Sequence, residues 1–366
     1  MGGAMVQKIS SVQFKKLAFG CSVRFKMFKN VLLALALFAT ISAFGGFAQA
    51  GLCLSQSQPV AGEIKGFVNI ASNRSLYVDY IPAAPGKPTV VLLNGLTYRL
   101  GCWNDFVANL QGNGLGILRY DAMGQGETLL KYAPITGPID YRDQVEDLHK
   151  LLIVLRVPQP AHIVGLSYGG AIALSFSTVH PEQMASLILM APFVAPIESQ
   201  DTLIKQSIAQ TRIMFPLNPA TDDQLYDYFL HQIAYATYPT AEPIVLENPF
   251  KLEAVFHMAQ GLHNFLAKNI EAKIPKGQLH LMVALQDQYL PKTMLDTFWS
   301  QLPVNTHASR VYIDGTEHKM PEAIPQVSAQ WVLKLINGDP RFQSGHTFNL
   351  DARTGRVTLA PPGDQN

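Results

Sequence analysis

The chain of 366 residues is poor in cysteine, with three, and has no excess of either charge, with 28 Lys+Arg against 27 Asp+Glu. Balanced charge leaves no electrostatic footprint for gripping a nucleic-acid backbone or an anionic membrane surface, so nucleic acid is not an expected partner. The chain also lacks a Gly-rich phosphate loop and any Cys/His cluster with metal spacing. Their absence predicts neither cofactor nor metal and turns attention to side-chain chemistry. No internal repeat or low-complexity tract is present. What the chain has in quantity is apolar residues, 48% of the total, enough for one large domain or two smaller ones with a well-buried core.

The first fifty residues read as a targeting segment. Lys26 and Lys29 precede an uncharged apolar run from Val31 to Phe47, and Ala48, Gln49 and Ala50 follow as a small-x-small cleavage pattern. The expectation is a signal peptide over 1–50, cleaved after Ala50, which exports the mature chain to the periplasm or medium. Counted from Met27 the leader has ordinary length, which makes Met27 an alternative start. The competing reading is an uncleaved membrane anchor, because the run approaches the ~20 residues a spanning helix needs; Gly45 and Gly46 beside the cleavage pattern argue against it, and no stable span is expected in the mature chain. Removal of Cys21 with the leader leaves Cys53 and Cys102, which are either a disulfide in an oxidising compartment or two free thiols.

After the leader, Ile64–Ile70 and Ser75–Ile81 are β-rich runs separated by a short polar turn, an antiparallel pair. Apolar strands then alternate with helical patterns: strand Thr89–Leu93, helix Trp103–Leu110, strand Ile117–Tyr120, helix Tyr141–Val157, strand Ala161–Val164, helix Tyr168–Thr178, strand Leu187–Met190. Strands Leu279–Leu285 and Arg310–Ile313 and helix Ile324–Ile336 resume the series. This alternation predicts an α/β fold with a mostly parallel sheet flanked by helices. Between Pro192 and Ile274 it is interrupted by three helical stretches, Ser199–Met214, Thr221–Ala236 and Leu252–Ile270, an inserted helical cap. Met214, Phe215, Tyr226, Tyr228, Phe229, Tyr235, Phe256, Met258 and Phe265 in it are expected to fill the cap's core, line a substrate pocket, or both. The expected divisions are the leader 1–50, a first core segment 51–192, the cap 193–274, a second core segment 275–338 and a tail 339–366, in which Thr347–Leu350 and Arg356–Leu359 flank a turn.

Gly165-Leu166-Ser167-Tyr168-Gly169 is a GxSxG run between a predicted strand and an apolar helix. The bare pattern arises by chance in about one chain in ten of this length, so its placement carries the weight. A sharp strand-to-helix turn pushes the serine hydroxyl out of the sheet and tolerates only glycine at its flanks. It also sets the serine at a helix N-terminus, which favours developing negative charge. A serine nucleophile needs a base and an orienting acid. Asp287 follows the strand ending at Leu285, and His318 follows Gly315, Thr316 and Glu317 after the strand ending near Asp314; the order Ser, Asp, His fits a nucleophile-elbow enzyme. Of the other carboxylates, Glu198 is the one serious rival to Asp287, and Asp314 reads as bracing its turn. His180 reads as a helix terminator; His231, His257 and His263 belong to the cap.

Together these segments resemble the α/β-hydrolase superfamily, in the serine-nucleophile, esterase- and lipase-like branch with a helical cap, from Ile64 to Ile336. Beside GLSYGG at Gly165–Gly170, LLNGLTYRLGCW at Leu92–Trp103 is similar to the family's oxyanion loop and YDAMGQGET at Tyr120–Thr128 to its DxxGxGxS segment; ALQDQYLP from Ala284 and DGTEHKMPE from Asp314 are similar to its acid and histidine loops. The resemblance implies an oxyanion hole from the backbone N–H groups of Leu96 and Tyr168 and a turn-bracing role for Asp121 with Gly124 and Gly126. Where the family usually has His-Gly, this chain has Asn94-Gly95, and Asn94 retains the capacity to hold the loop by hydrogen bonds. Serine at 167 argues against the dehalogenase and epoxide-hydrolase chemistries of the fold.

The resulting expectation is a serine hydrolase that cleaves a small-molecule ester, lactone or acylglycerol with an apolar acyl part through an acyl-enzyme on Ser167. Aminopeptidase-like amide hydrolysis, C–C bond hydrolysis, cofactor-free haloperoxidation and acyl transfer use the same triad, and fold does not choose among them. A non-catalytic ligand-binding member is the rival of a different class.

Overall fold

The computed structural model describes residues 62–364 other than Ser344, within a compact unit spanning Gly51–Asn366. The expected leader, its cleavage site and Cys53 lie outside the described residues. Ten strands form one sheet in the order β1-β2-β4-β3-β5-β6-β7-β8-β9-β10. The chain opens with β1 (Ile64–Ala71) and β2 (Arg74–Ile81), an antiparallel pair, and β2 pairs antiparallel with β4 (Gly116–Asp121). From β4 through β3 (Thr89–Leu93), β5 (Ala161–Leu166), β6 (Met184–Met190), β7 (Leu279–Ala284), β8 (His307–Asp314) and β9 (Thr347–Asp351) every pairing is parallel. The fold expected from the alternating pattern is present.

The central strands are continuous apolar runs because both sheet faces are covered. All residues of β3, β4 and β7 are buried. One face packs on helices α3 (Tyr141–Val154), α4 (Tyr168–Val179) and α8 (Lys292–Gln301), the other on α1 (Asn104–Leu110) and α10 (Pro325–Ile336), giving two large core clusters. Helix α2 (Gly126–Tyr132) follows β4, and a short α9 (Met320–Ala323) precedes α10. Edge strand β1 is largely exposed, with only Ile70 buried.

Between β6 and β7 the chain leaves the sheet to form α5 (Glu198–Met214), α6 (Asp222–Ala241) and α7 (Lys251–Gly261). Helix α6 starts at a capping box, in which the Thr221 hydroxyl accepts from the Gln224 N–H and the Gln224 side-chain Oε1 accepts from the Thr221 N–H. Ile204, Ile208, Leu225 and Tyr226 give the insert a small core of its own.

Apart from helix α2, which the alternating pattern does not predict, three further elements differ from the pattern-based expectation. The third helix of the insert stops at Gly261 instead of Ile270, and short 3-10 turns follow; only glycine fits at 261, where a Cβ would lie 1.8 Å from the Ile139 carbonyl oxygen. Helix α8 was not anticipated, although Leu295, Phe298 and Trp299 supply its buried i, i+3, i+4 face. The segment beyond Gly338 extends the sheet: β9 lies parallel to β8, and β10 (Val357–Leu359) folds back on β9 through the expected turn.

β3 has β4 on one side and β5 on the other, so successive connections leave it in opposite directions. The crevice beyond the C-terminal ends of β3 and β5 is a topological switch point, the place where open α/β sheets take ligands. Asn94–Arg99 and Ser167 lie there.

Candidate active site

Ser167 sits between β5 and α4 with φ 52° and ψ −113°, a region that non-glycine residues rarely occupy. The flanking glycines make this turn. A Cβ on Gly165 would lie 2.5 Å from the Gly169 carbonyl oxygen, one on Gly169 would lie 2.3 Å from the Leu93 oxygen, and one on Gly170 would lie 2.6 Å from Pro192 Cβ. The turn is further held by the Ser167 N–H to the Met190 oxygen at 3.0 Å and the Phe193 N–H to the Ser167 oxygen at 2.9 Å.

Asp287 and His318, expected to act together, are in direct contact: His318 Nδ1 lies 2.7 Å from Asp287 Oδ2, and the carboxylate is almost fully buried. Its other oxygen accepts from the N–H groups of Tyr289 (2.8 Å) and Leu290 (2.9 Å), which fixes the carboxylate plane. The loops carrying the two residues are stitched by Gln286, whose Oε1 accepts from the N–H groups of Gly315 and Thr316 and whose Nε2 donates to Asp314. The Tyr289 ring meets the imidazole edge-on at 5.1 Å. Ser167 and His318 line one cavity, and the Ser167 hydroxyl has no hydrogen bond to any described residue. Leu96 and Tyr168 line the same cavity, and neither backbone N–H donates to another described group. Tyr168 is the first residue of α4, where an N–H has no intrahelical acceptor.

The oxyanion-loop position is held by buried polar side chains. Asn94 Nδ2 donates to the Tyr120 carbonyl (3.0 Å) and to Gln125 Oε1 (3.1 Å), and Asn94 Oδ1 accepts from Trp103 Nε1 at 2.8 Å. Gln125 Nε2 in turn donates to the Gly95 carbonyl at 3.0 Å. Asp121 accepts from the Leu100 and Glu127 N–H groups at 2.6 and 3.0 Å, and a Cβ on Gly126 would collide with its carboxylate. Burial pushes the Asp121 carboxyl above its usual range despite those bonds. From the insert, Lys251 reaches the Tyr98 and Gly124 carbonyls (both 3.4 Å), and burial pushes its ammonium down to about 8 against the pull of Asp121. Arg99 pairs with Glu247 at 3.1 Å beside it. Cys102, on the short turn that follows this loop, is disulfide-bonded.

Helices α5 and α6 wall the cavity with apolar side chains, Ile204, Leu230 and Ile233 among them. Of the nine aromatic and Met residues singled out in the insert, only Tyr226 lines it; Phe256, Met258 and Phe265 are buried elsewhere, Phe229 packs half-buried on the insert's own core, and Met214, Phe215, Tyr228 and Tyr235 are exposed. Polar groups gather on the wall beside His318. Glu242, at the end of α6, pairs with Lys319 and accepts from the Tyr289 hydroxyl at 2.8 Å, which ties the insert to the acid and histidine loops together. Glu242, Lys319 and Tyr289 escape sequence reasoning, because nothing local marks a Glu before Pro243 as facing two loops far along the chain. Glu198 is the first residue of α5 and does not line the cavity, whereas His263 lines it against the Tyr226 ring. His180 ends α4 and stacks on His149 at 4.0 Å; His231 and His257 face Glu253.

A mostly parallel sheet, a serine on a strained strand-to-helix turn and a carboxylate–imidazole pair at two later strand ends define the α/β-hydrolase class. A family model described as serine aminopeptidase, S33, matches residues 84–322; the chain belongs to that hydrolase family. Among curated proteins it is 32% identical over 154 residues to monoacylglycerol lipase abhd6-B of Xenopus laevis (39% of this chain, 43% of that one). It is 29% identical over 130 residues to a proline iminopeptidase of Xylella fastidiosa (35% and 40%). The chain thus spans less than half the length of these relatives. Among solved structures, a bacterial membrane phospholipase A superposes with TM-score 0.54 at 19% identity, covering 88% of this chain and 98% of that one, a likeness of fold.

Proposed function

We propose that this protein is a serine hydrolase that cleaves a carboxylic ester with an apolar acyl part through an acyl-enzyme on Ser167. The observation that carries the reading is the convergence on one cavity of a serine at positive φ, an imidazole anchored on a buried carboxylate, and two uncommitted backbone N–H groups. With Nδ1–H donated to Asp287, Nε2 of His318 is the face free to take the Ser167 proton as Oγ attacks the carbonyl. The Leu96 and Tyr168 N–H groups receive the oxyanion. His318 then returns the proton to the leaving alcohol, and water activated by the same nitrogen releases the acid.

Amide cleavage is the second reading, prompted by the iminopeptidase relative. A free peptide amine would want an unpaired carboxylate, and the two carboxylates on the cavity wall already have cations: Asp201 has Lys205 and Glu242 has Lys319. The apolar walls and this pairing favour an ester. A panel of p-nitrophenyl esters of rising chain length beside an aminoacyl anilide tests it: ester turnover lost in Ser167→Ala is expected, and anilide turnover without ester turnover would replace this reading by the second.

We also propose export after cleavage near Ala50, against retention by an uncleaved anchor. The disulfide at Cys102 supports an oxidising compartment. N-terminal sequencing of the mature chain should begin at Gly51; a retained Met1 or Met27 would sink the proposal.

A further inference from the structure

The turn joining α5 to α6 presents its apolar side chains outward. Ile213 is 80% exposed, Met214 48%, Phe215 58% and Leu217 94%, four large apolar side chains within five residues. The segment from Ile213 to Thr221 contains no charged residue. It is a built turn. Arg212 lies across its base, donating to Asp222 (2.7 and 2.9 Å) and to the Asn218 and Ala220 carbonyls, so its charge is spent on joining the two helix ends. The Phe215 N–H donates to the Thr211 carbonyl, the Asn218 N–H to the Phe215 carbonyl, and the Asn218 side chain accepts from the Ala220 N–H. The N–H groups of Phe215, Asn218 and Ala220 are thus paired within the turn, which fixes the direction in which its apolar side chains project.

None of these four side chains lines the cavity, while the helices they join do so through Ile204, Tyr226, Leu230 and Ile233. A role in packing the insert is also filled, by Ile204, Ile208, Leu225 and Tyr226. We propose that the 213–217 turn is a docking tip that inserts into the acyl region of a lipid surface and seats the helices lining the cavity at a source of apolar substrate. Area separates this from a second copy of the chain. Four such side chains expose on the order of 500 Å², short of the roughly 800 Å² per partner that a stable protein interface buries. The uncharged turn fits hydrocarbon and an uncharged headgroup layer, so attachment needs no anionic lipid. No described helix is long and apolar enough to cross a membrane, so the contact is peripheral. This inference does not depend on which bond the enzyme cuts, and its test reads binding alone.

The test uses the Gly51–Asn366 unit, which omits the apolar run at 31–47, with phosphatidylcholine vesicles. Sedimentation should carry wild type down with the vesicles, insensitive to salt, and the F215S/L217S double variant should partition at least ten-fold more weakly with an unchanged unfolding midpoint. F215W should show a blue shift in emission when vesicles are added. Wild type left in the supernatant, equal sedimentation of the double variant, or no shift in F215W would overturn the proposal. So would a gel-filtration dimer that the double variant dissolves, which would assign the tip to a second copy.

Discussion

Ser167 illustrates how much one residue's conformation depends on its neighbours. A non-glycine residue at positive φ costs of order 1–3 kcal/mol, and the turn persists because Gly165, Gly169 and Gly170 let the β5–α4 corner close. Asn94 works differently, as a buried junction whose amide joins the Tyr120 carbonyl, Gln125 and Trp103. Replacing it by alanine removes three hydrogen bonds and strands the Trp103 N–H in the core, at about 1–3 kcal/mol for each group left unpaired. It also frees the Gly95–Leu96 peptide that carries the proposed oxyanion donor, and losing such a donor costs about 100-fold or more in kcat. Asn94→Ala should therefore lower both the unfolding midpoint and kcat, with KM changed far less; unchanged kcat in a destabilised protein would show that the network holds the fold and not the loop.

At the scale of elements, what local pattern specifies was legible. β3 and β5 read as strands because they are continuous apolar runs buried on both faces, and Ser167, Asp287 and His318 were singled out because each follows such a run at a strand exit. The substitution of Asn94 for the family's histidine was visible too, and the structure shows the amide holding the loop. What depends on closure over long separations was not legible. β9 is five residues long and acquires its identity from pairing with β8. Glu242 meets Tyr289 and Lys319 only because α6 ends over the acid and histidine loops. The need for glycine at 261 comes from the approach of the Ile139 carbonyl, in a loop more than 100 residues earlier in the chain. In the insert the aromatic content was legible and its direction was not, since a helix that walls a cavity on one side exposes its far end to whatever lies outside.

Across the whole molecule, the sheet carries polar residues in its interior that set a limit in acid. His162 on β5 bonds Ser186 of β6 at 2.7 Å, and His280 on β7 bonds Ser309 of β8 at 2.8 Å. Burial pushes His162 down to about 4 and His280 to about 3, and the Nε2 of His280 is buried without a hydrogen-bond partner among the described residues. An unfolded histidine titrates near 6.5. Below that pH the unfolded chain takes up protons that the folded chain refuses, so the stability held above pH 6.5 falls as pH descends toward 4. The loss is about 1.4 kcal/mol per pH unit for each histidine. The unfolding midpoint of wild type should drop steeply over this interval and that of His280→Gln less so; identical slopes would contradict the assignment. The account as a whole rests on Ser167 being a nucleophile activated by His318, and covalent capture reads this most directly. Incubation with a fluorophosphonate followed by peptide mass spectrometry should place one adduct on Ser167, lost in Ser167→Ala and strongly slowed in His318→Ala, whereas folded wild-type protein that stays unlabelled, or an adduct at another residue, would contradict it.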